Sequence, residues 1–257
     1  YCAELTPAAR RIGSVNTILR RPDGTLLGDN ADYDGFLYLL KSAGAQVEGR
    51  KALVLGSGGA SLTVRAVLSE LGAREIITIS RSGENNYQNL DRHADAQIIV
   101  NATPVGMYPN NGVSPVDLDQ FPQCEGVFDL IYNPSKTQLL LQAQRRGLIW
   151  GNGLGMLVAQ AKAASERVQG KKLPDELVAD ITAKLERETK NILLIGMPGC
   201  GKTTVGKALA EKLGRPLADV DEKIIEEVGC SIPHIFATEG EEGFRVREHR
   251  ALAQIAK

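Results

Sequence analysis

The chain has 257 residues, 43% of them apolar, and its 30 Lys and Arg nearly cancel its 31 Asp and Glu, for a formal net charge of −1. That balance leaves no basic footprint for nucleic acid and no acidic tail, and the size suits one large or two modest domains. No apolar run approaches the roughly 20 residues of a membrane span and no signal-peptide pattern is present, so the expected setting is the cytoplasm and the expected partners are small molecules.

The chain opens on Tyr1 rather than Met, and residues 4–12 resemble the end of a helix. Val15–Leu19 is a short β-branched run, and Asp23-Gly24 marks a turn after it. Leu26-Leu27 leads into Gly28-Asp29-Asn30-Ala31-Asp32, and helical spacing follows from Tyr33 to Ala43. Strands are expected at Lys51–Leu55, Glu75–Ile79, Ala96–Asn101, Gly126–Ile131 and Leu148–Trp150, with helices at 60–71, 135–146 and 152–168. Such alternation predicts an α/β fold with a doubly wound parallel sheet. Pro174–Glu188 reads as an amphipathic helix. A second strand–loop–helix unit starts at Asn191–Ile195, with another strand expected at Pro216–Val220 and helical patterns to Ala256-Lys257. Both ends read as cut. Cys2, Cys124, Cys200 and Cys230 are scattered without a CxxC pair, as free thiols of a reducing compartment are. His93, His234 and His249 match no metal spacing and are expected on the surface or in packing.

Two glycine-rich loops carry the chemistry. The first, Gly56-Ser57-Gly58-Gly59-Ala60-Ser61, lies between a strand and a helix, where glycines let the backbone approach a pyrophosphate and the helix N-terminus favours its charge. At the end of the next strand an NAD site carries an acidic residue for the ribose. This chain has Ser80-Arg81-Ser82, which suits the 2′-phosphate of NADP. The second loop, Gly196-Met197-Pro198-Gly199-Cys200-Gly201-Lys202-Thr203-Thr204, fulfils the P-loop pattern. It suits ATP, with Lys202 on the β- and γ-phosphates and Thr203 on Mg2+.

Five further segments place polar groups at element ends: Gly13-Ser14-Val15-Asn16-Thr17, Asn30-Ala31-Asp32, Asn101-Ala102-Thr103-Pro104-Val105-Gly106-Met107, Asp129-Leu130-Ile131-Tyr132-Asn133-Pro134, and Gly153 through Gln160. With the first glycine loop they resemble the shikimate dehydrogenase family over residues 1–188. The resemblance implies NADP-dependent interconversion of 3-dehydroshikimate and shikimate. By position, Asn16, Asp32 and Gln160 would bind substrate hydroxyls, and Tyr132 would lie at the same pocket. Gly56, Ser57, Gly58, Gly59 and Ala60 would hold the pyrophosphate, and Ser80, Arg81 and Ser82 the adenosine phosphate. Asn101, Thr103, Leu130 and Gly153 would line the nicotinamide side. Family members pair the aspartate matched by Asp32 with a catalytic lysine in a segment that precedes Tyr1. The chain is therefore expected to bind NADP but to turn shikimate over poorly. Ala31 stands where threonine is common in the family. Asp32 also precedes the Tyr33 helix and is expected to cap it; Asp29 and Asp34 are expected in solvent.

Residues 191–257 resemble the opening of shikimate kinase. Gly199, Cys200, Gly201, Lys202, Thr203 and Thr204 would hold the triphosphate, and Thr203 with Asp219 would meet the magnesium. Asp221 and Arg245 would bind shikimate, although Arg245 is also spaced to pair with Glu248 on a helix face. Glu241 and Glu242 are expected in solvent. Many family members have serine or alanine at Cys200. The kinase lid and later strands are not in this stretch, so negligible kinase activity is expected.

The organisation read from the sequence is a dehydrogenase substrate-domain remnant (1–32), an NADP-binding Rossmann-type domain (33–150), C-terminal helices folding back on the remnant (151–188), and a partial kinase domain (191–257). Two other readings stay open: a quinate/shikimate dehydrogenase using NAD, and a nucleotide-binding module without turnover. The oligomeric state stays open.

Overall fold

A computed structural model describes residues 1–197 and 199–255; Pro198 of the second glycine loop and Ala256-Lys257 lie outside the described residues. The chain divides into two compact units, Tyr1–Thr189 and Lys190–Lys257.

The first unit begins with a small sheet. Strand β1 (Glu4–Leu5) pairs in parallel with β3 (Leu26–Asp29), and β2 (Thr17–Arg20) pairs with β3 in antiparallel register, Ile18 opposite Gly28. The β2–β3 turn closes through Arg21 and Thr25, with Gly24 at φ +86°. Residues 4–12 are not one helix. Glu4-Leu5 is taken into the sheet, and helix α1 (Pro7–Ile12) starts only after Thr6, whose hydroxyl accepts from the Ala9 N–H. Helix α2 (Asp32–Ser42) follows.

The main sheet has five parallel strands, β4 (Lys51–Leu55), β5 (Glu75–Ile79), β6 (Ile98–Asn101), β7 (Gly126–Asp129) and β8 (Ile149–Gly151), in the order β5-β4-β6-β7-β8. The three central strands are buried on both faces, which is why they read as unbroken apolar runs. Their side chains alternate between two cores. Leu53, Leu55, Ile99 and Val127 pack with Leu139, Leu140 and Ala143 of α4 (Gln138–Arg145). Ala52, Val54, Ile98, Val100 and Phe128 pack with α2 and with α3 (Gly59–Glu70). Helix α5 (Gly153–Gln169) crosses α2 closely, because a Cβ on Gly35 would stand 2.6 Å from the Met156 carbonyl oxygen. Helix α6 (Glu176–Thr189) packs on α5 through Val178 and Leu185.

The second unit holds α7 (Lys202–Leu213), α8 (Val220–Val228) and α9 (Ile232–Ile255), the last interrupted at Gly240, whose φ is +70°. Ile224, Ile235, Phe244 and Ala251 form its core. The strands expected at Asn191–Ile195 and Pro216–Val220 do not form. A strand needs a neighbour for its backbone groups, and among the described residues these segments have none. Ile192, Leu193 and Ile195 are exposed as a result. Leu194 and Leu217 nevertheless both reach Gly206 of α7, where an added Cβ would lie 3.3 and 3.0 Å from them. Among the described residues no helix is long and apolar enough to cross a membrane.

Candidate functional site

Strand order reverses at β4, which has β5 on one side and β6 on the other. Ligands of open α/β sheets bind outside the carboxyl ends of the strands at such a switch. Every residue expected to meet the first nucleotide lies there. The Gly56 loop follows β4, Ser80-Arg81-Ser82 follows β5, Asn101 to Thr103 close β6, Leu130 follows β7 and Gly153 follows β8.

The loop is packed on one side and bare on the other. Gly56, at φ +106°, runs against β6's exit, where an added Cβ would lie 2.8 Å from Thr103 Cγ2. Gly58 and Gly59 do the opposite, since a Cβ on either would meet nothing within 4 Å. Their bareness serves open space rather than packing. Gly58 is the N-cap of α3 and no side chain caps that end. The Ser61 N–H is taken by the Gly58 carbonyl at 3.0 Å, and the rest of the first turn is left uncapped beside open space, the arrangement that suits an anion.

Asn101 is placed differently from expectation. It is fully buried, donating from Nδ2 to Asp129 Oδ1 at 3.0 Å and accepting at Oδ1 from the Thr103 N–H and hydroxyl at 3.0 and 2.6 Å. Asp129, also fully buried, accepts from the Ile131 N–H (3.0 Å) and the Thr137 hydroxyl (2.7 Å). Burial raises its pKa against the pull of these hydrogen bonds. Asn101 thus braces the β6 exit from within, and the Thr103 hydroxyl turns back onto it while accepting from the Val105 N–H at 3.2 Å. Gly153 has no room for any side chain: an added Cβ would overlap the Leu130 carbonyl and stand 2.6 Å from its carbon.

Asn16, Asp32 and Gln160 share one cavity of about 590 Å³, whose lining also includes Leu157, Val158, Lys162 and apolar residues of α6. Tyr132 is not among its lining residues and stands half-exposed after β7. Asn16 Oδ1 accepts from the Ala31 N–H at 2.9 Å, fixing the start of α2. Asp32 is the first residue of α2, not its cap; Ala31 takes that position, and the Asp32 N–H donates to Asn30 Oδ1 at 3.2 Å. Its carboxylate is thereby left to the cavity. Burial raises its pKa, opposed by a hydrogen bond from Asn16.

Asp29 is not solvated as expected, and Asp34, though partly exposed, is held in an ion pair. Asp29 is fully buried, with the Thr6 hydroxyl on one oxygen and Arg167 Nε on the other. Arg167 also holds Asp34 at 2.6 Å. One guanidinium on α5 thus clamps both flanks of the Asn30-Ala31-Asp32 turn.

In the second unit, Lys202 Nζ donates to the Gly196 and Met197 carbonyls at 2.9 and 3.0 Å, curling over its own loop. The Thr203 hydroxyl donates to Asp219 Oδ2 at 3.1 Å, while Asp219 Oδ1 caps α8 by accepting from the Asp221 N–H. The two residues expected at magnesium are therefore adjacent. Asp221 has its pKa raised by burial, then by Asp219 and Glu248, with Lys202 opposing. Arg245 is engaged by Glu248 at 2.8 Å and by Glu241 at 3.4 Å, so Glu241 is an ion-pair partner rather than simply solvated. Cys200 and Thr204 are exposed.

A shikimate dehydrogenase (NADP(+)) of Symbiobacterium thermophilum is 36% identical over 202 residues, covering 69% of this chain and 68% of that protein. The chain belongs to the shikimate dehydrogenase family. A shikimate dehydrogenase (NADP(+)) of Caldanaerobacter subterraneus subsp. tengcongensis is 36% identical over 183 residues, 64% of this chain, and the match spans 65% of that protein's length. The crystal structure of the Thermus thermophilus shikimate 5-dehydrogenase in complex with NADP(H) and shikimate superposes with a TM-score of 0.62 at 34% identity, covering 72% of each chain. The shikimate kinase family model matches residues 198–257. The chain thus joins shikimate dehydrogenase sequence to a segment that matches shikimate kinase. Within this dehydrogenase frame, sequence reasoning did not single out Arg167, Thr6 or Thr137, and it gave His93 no role beyond the surface or packing; His93 is buried. Their partners are remote or their burial is tertiary, and no local pattern marks either.

Proposed function

We propose that this chain carries the cofactor half and part of the substrate half of an NADP-dependent shikimate dehydrogenase, interconverting 3-dehydroshikimate and shikimate. The observation that carries this reading is that the Gly56 loop, Ser80-Arg81-Ser82, Thr103, Leu130 and Gly153 all follow the carboxyl ends of the parallel strands, along the one edge of the sheet that holds the switch at β4. On this reading residues 33–150 are the cofactor domain, 1–32 and 151–188 belong to the substrate side, and 191–257 are part of a shikimate kinase domain.

The bound nicotinamide would supply the hydride. The chain's own residues do the rest. Gly58, Gly59 and the α3 N-terminus receive the pyrophosphate, and the Arg81 guanidinium with the Ser80 and Ser82 hydroxyls takes the 2′-phosphate. Asn16 and Gln160 orient the substrate hydroxyls. Among the described residues lining the cavity only Asp32 and Lys162 titrate, and Lys162 is committed to Glu166 and Asp175 at 3.0 and 3.1 Å. Asp32 is therefore the group placed to take part in the proton transfer that accompanies reduction of the ketone. In the last segment Lys202 and Thr203 would serve ATP and Mg2+, with Asp219 beside the metal and Asp221 and Arg245 toward shikimate.

Fluorescence titration with NADPH and NADH tests the cofactor reading. Arg81→Ala should weaken NADPH roughly ten-fold, the scale of a lost charged hydrogen bond, and leave NADH unchanged. Equal affinity of the parent chain for both cofactors would refute it.

Asp32→Asn tests the substrate side. Shikimate affinity should fall roughly ten-fold or more. Stability should move the other way. Asp32 has a raised pKa in the fold, so between the ordinary carboxylate range and that raised value the native state binds more protons than the unfolded chain. Unfolding free energy then falls as pH rises through that window. The asparagine variant escapes this loss: it should match the parent near pH 3 and melt higher at pH 7. A variant that melts lower at pH 7 would count against a desolvated carboxylate.

A further inference from the structure

The segment that follows Arg81 is held by an unusual buried contact. His93 ends a short 3-10 turn, Leu90–His93, and is buried. Its Nε2 lies 2.9 Å from Asn85 Oδ1, and its Nδ1 is buried without a hydrogen-bond partner. The orphaned Nδ1 settles the tautomer. A proton there would be buried without an acceptor, so the ring's single proton sits on Nε2 and is donated to Asn85. Burial and the nearby Lys51 ammonium lower the imidazole pKa, which keeps the ring neutral at neutral pH.

Asn85 in turn closes the loop. Its backbone carbonyl accepts from the Ser80 N–H at 3.1 Å, at the residue before Arg81. The rest of the turn is wound by asparagines: Asn86 Nδ2 donates to the Gly83 carbonyl at 3.1 Å, and Asn89 Nδ2 to the Glu84 carbonyl at 2.8 Å. Loops on a sheet surface are ordinarily mobile, and Arg81 itself is exposed. Here its backbone is tied through Asn85 to a side chain in the interior.

We propose that His93 is a positioning residue for cofactor specificity: through Asn85 it fixes the loop that aims Ser80, Arg81 and Ser82 at the 2′-phosphate of NADP. This rests on the reading of Arg81 given above. The ribose phosphate is the only part of NADPH absent from NADH, so a residue acting on this loop moves the ratio of the two affinities, whereas a residue that merely holds the fold moves both together.

The experiment is titration of the whole chain with NADPH and with NADH, for the parent, His93→Leu and Asn85→Ala. Asn85→Ala removes the same hydrogen bond from the surface side and leaves the core intact, so the test survives if the leucine variant does not fold. Loss of one such bond is expected to reduce the NADPH-to-NADH affinity ratio about five-fold in either variant, with NADH binding unchanged. An unchanged ratio in Asn85→Ala, or an equal loss of both cofactors, overturns the proposal while leaving Arg81 in its role. A parent chain with no preference for NADPH overturns the Arg81 reading itself, and this inference with it.

Discussion

Replacing Arg167 with leucine should cost the Tyr1–Thr189 unit about 3–5 kcal/mol, the range found when one partner of a buried ion pair is removed. The size comes from Asp29, not Asp34. Asp34 is 39% exposed at its side chain, and a half-solvated pair contributes little. Asp29 is fully buried, and without Arg167 its charge would face only the Thr6 hydroxyl. Urea unfolding of the variant measures the loss. Adding Asp29→Asn should recover most of it, because the amide keeps an acceptor for Thr6 and no longer needs a cation. A single variant as stable as the parent would show that the clamp carries no load.

Gly153→Ala should be the second most damaging change. The added methyl has the Leu130 carbonyl in its way, and a carbonyl cannot rotate aside as a long side chain can. Either α5 withdraws from the end of β7 or the β7 exit moves. The Gly153 N–H donates to the Ile131 carbonyl at 3.0 Å, so both choices break that bond as well. Overpacking and bond loss together are expected to cost about 2–4 kcal/mol. Because Gly153 and Leu130 sit where the nicotinamide is proposed to bind, NADPH affinity should fall in parallel. Thermal unfolding with and without NADPH reads both: the variant should melt lower and gain less from the cofactor. A variant with the parent's melting temperature and cofactor shift would contradict the close approach.

What the sequence made legible is local. β4 and β5 begin and end where periodicity placed them, because each is a short apolar run with a glycine or polar break at its exit. The glycine loops and the order of site segments were legible for the same reason. The misreadings are tertiary. Asp29 looks like a loop aspartate until Arg167, far along the chain, is brought to it. Asp32 looks like a cap, but the turn is closed by Asn16 and Asn30, which leaves the cap to Ala31. Residues 191–195 have the composition of a strand, yet strand formation is a property of a pair and not of a segment. Asn101 has the position of a contact residue, and only the burial of Asp129 beside it turns its side chain inward.

The Asn101–Asp129–Thr137 network has a mechanical consequence. It bolts the exits of β6 and β7 to the start of α4 through fully satisfied buried contacts. The end of the sheet proposed to receive the nicotinamide is thus a stiff anvil. The turn into α5 is braced as well, by the Asn152 side chain on the Ser135 carbonyl and the Leu154 N–H and by the Gly153 N–H on the Ile131 carbonyl, so β7 and the start of α5 would move as one piece.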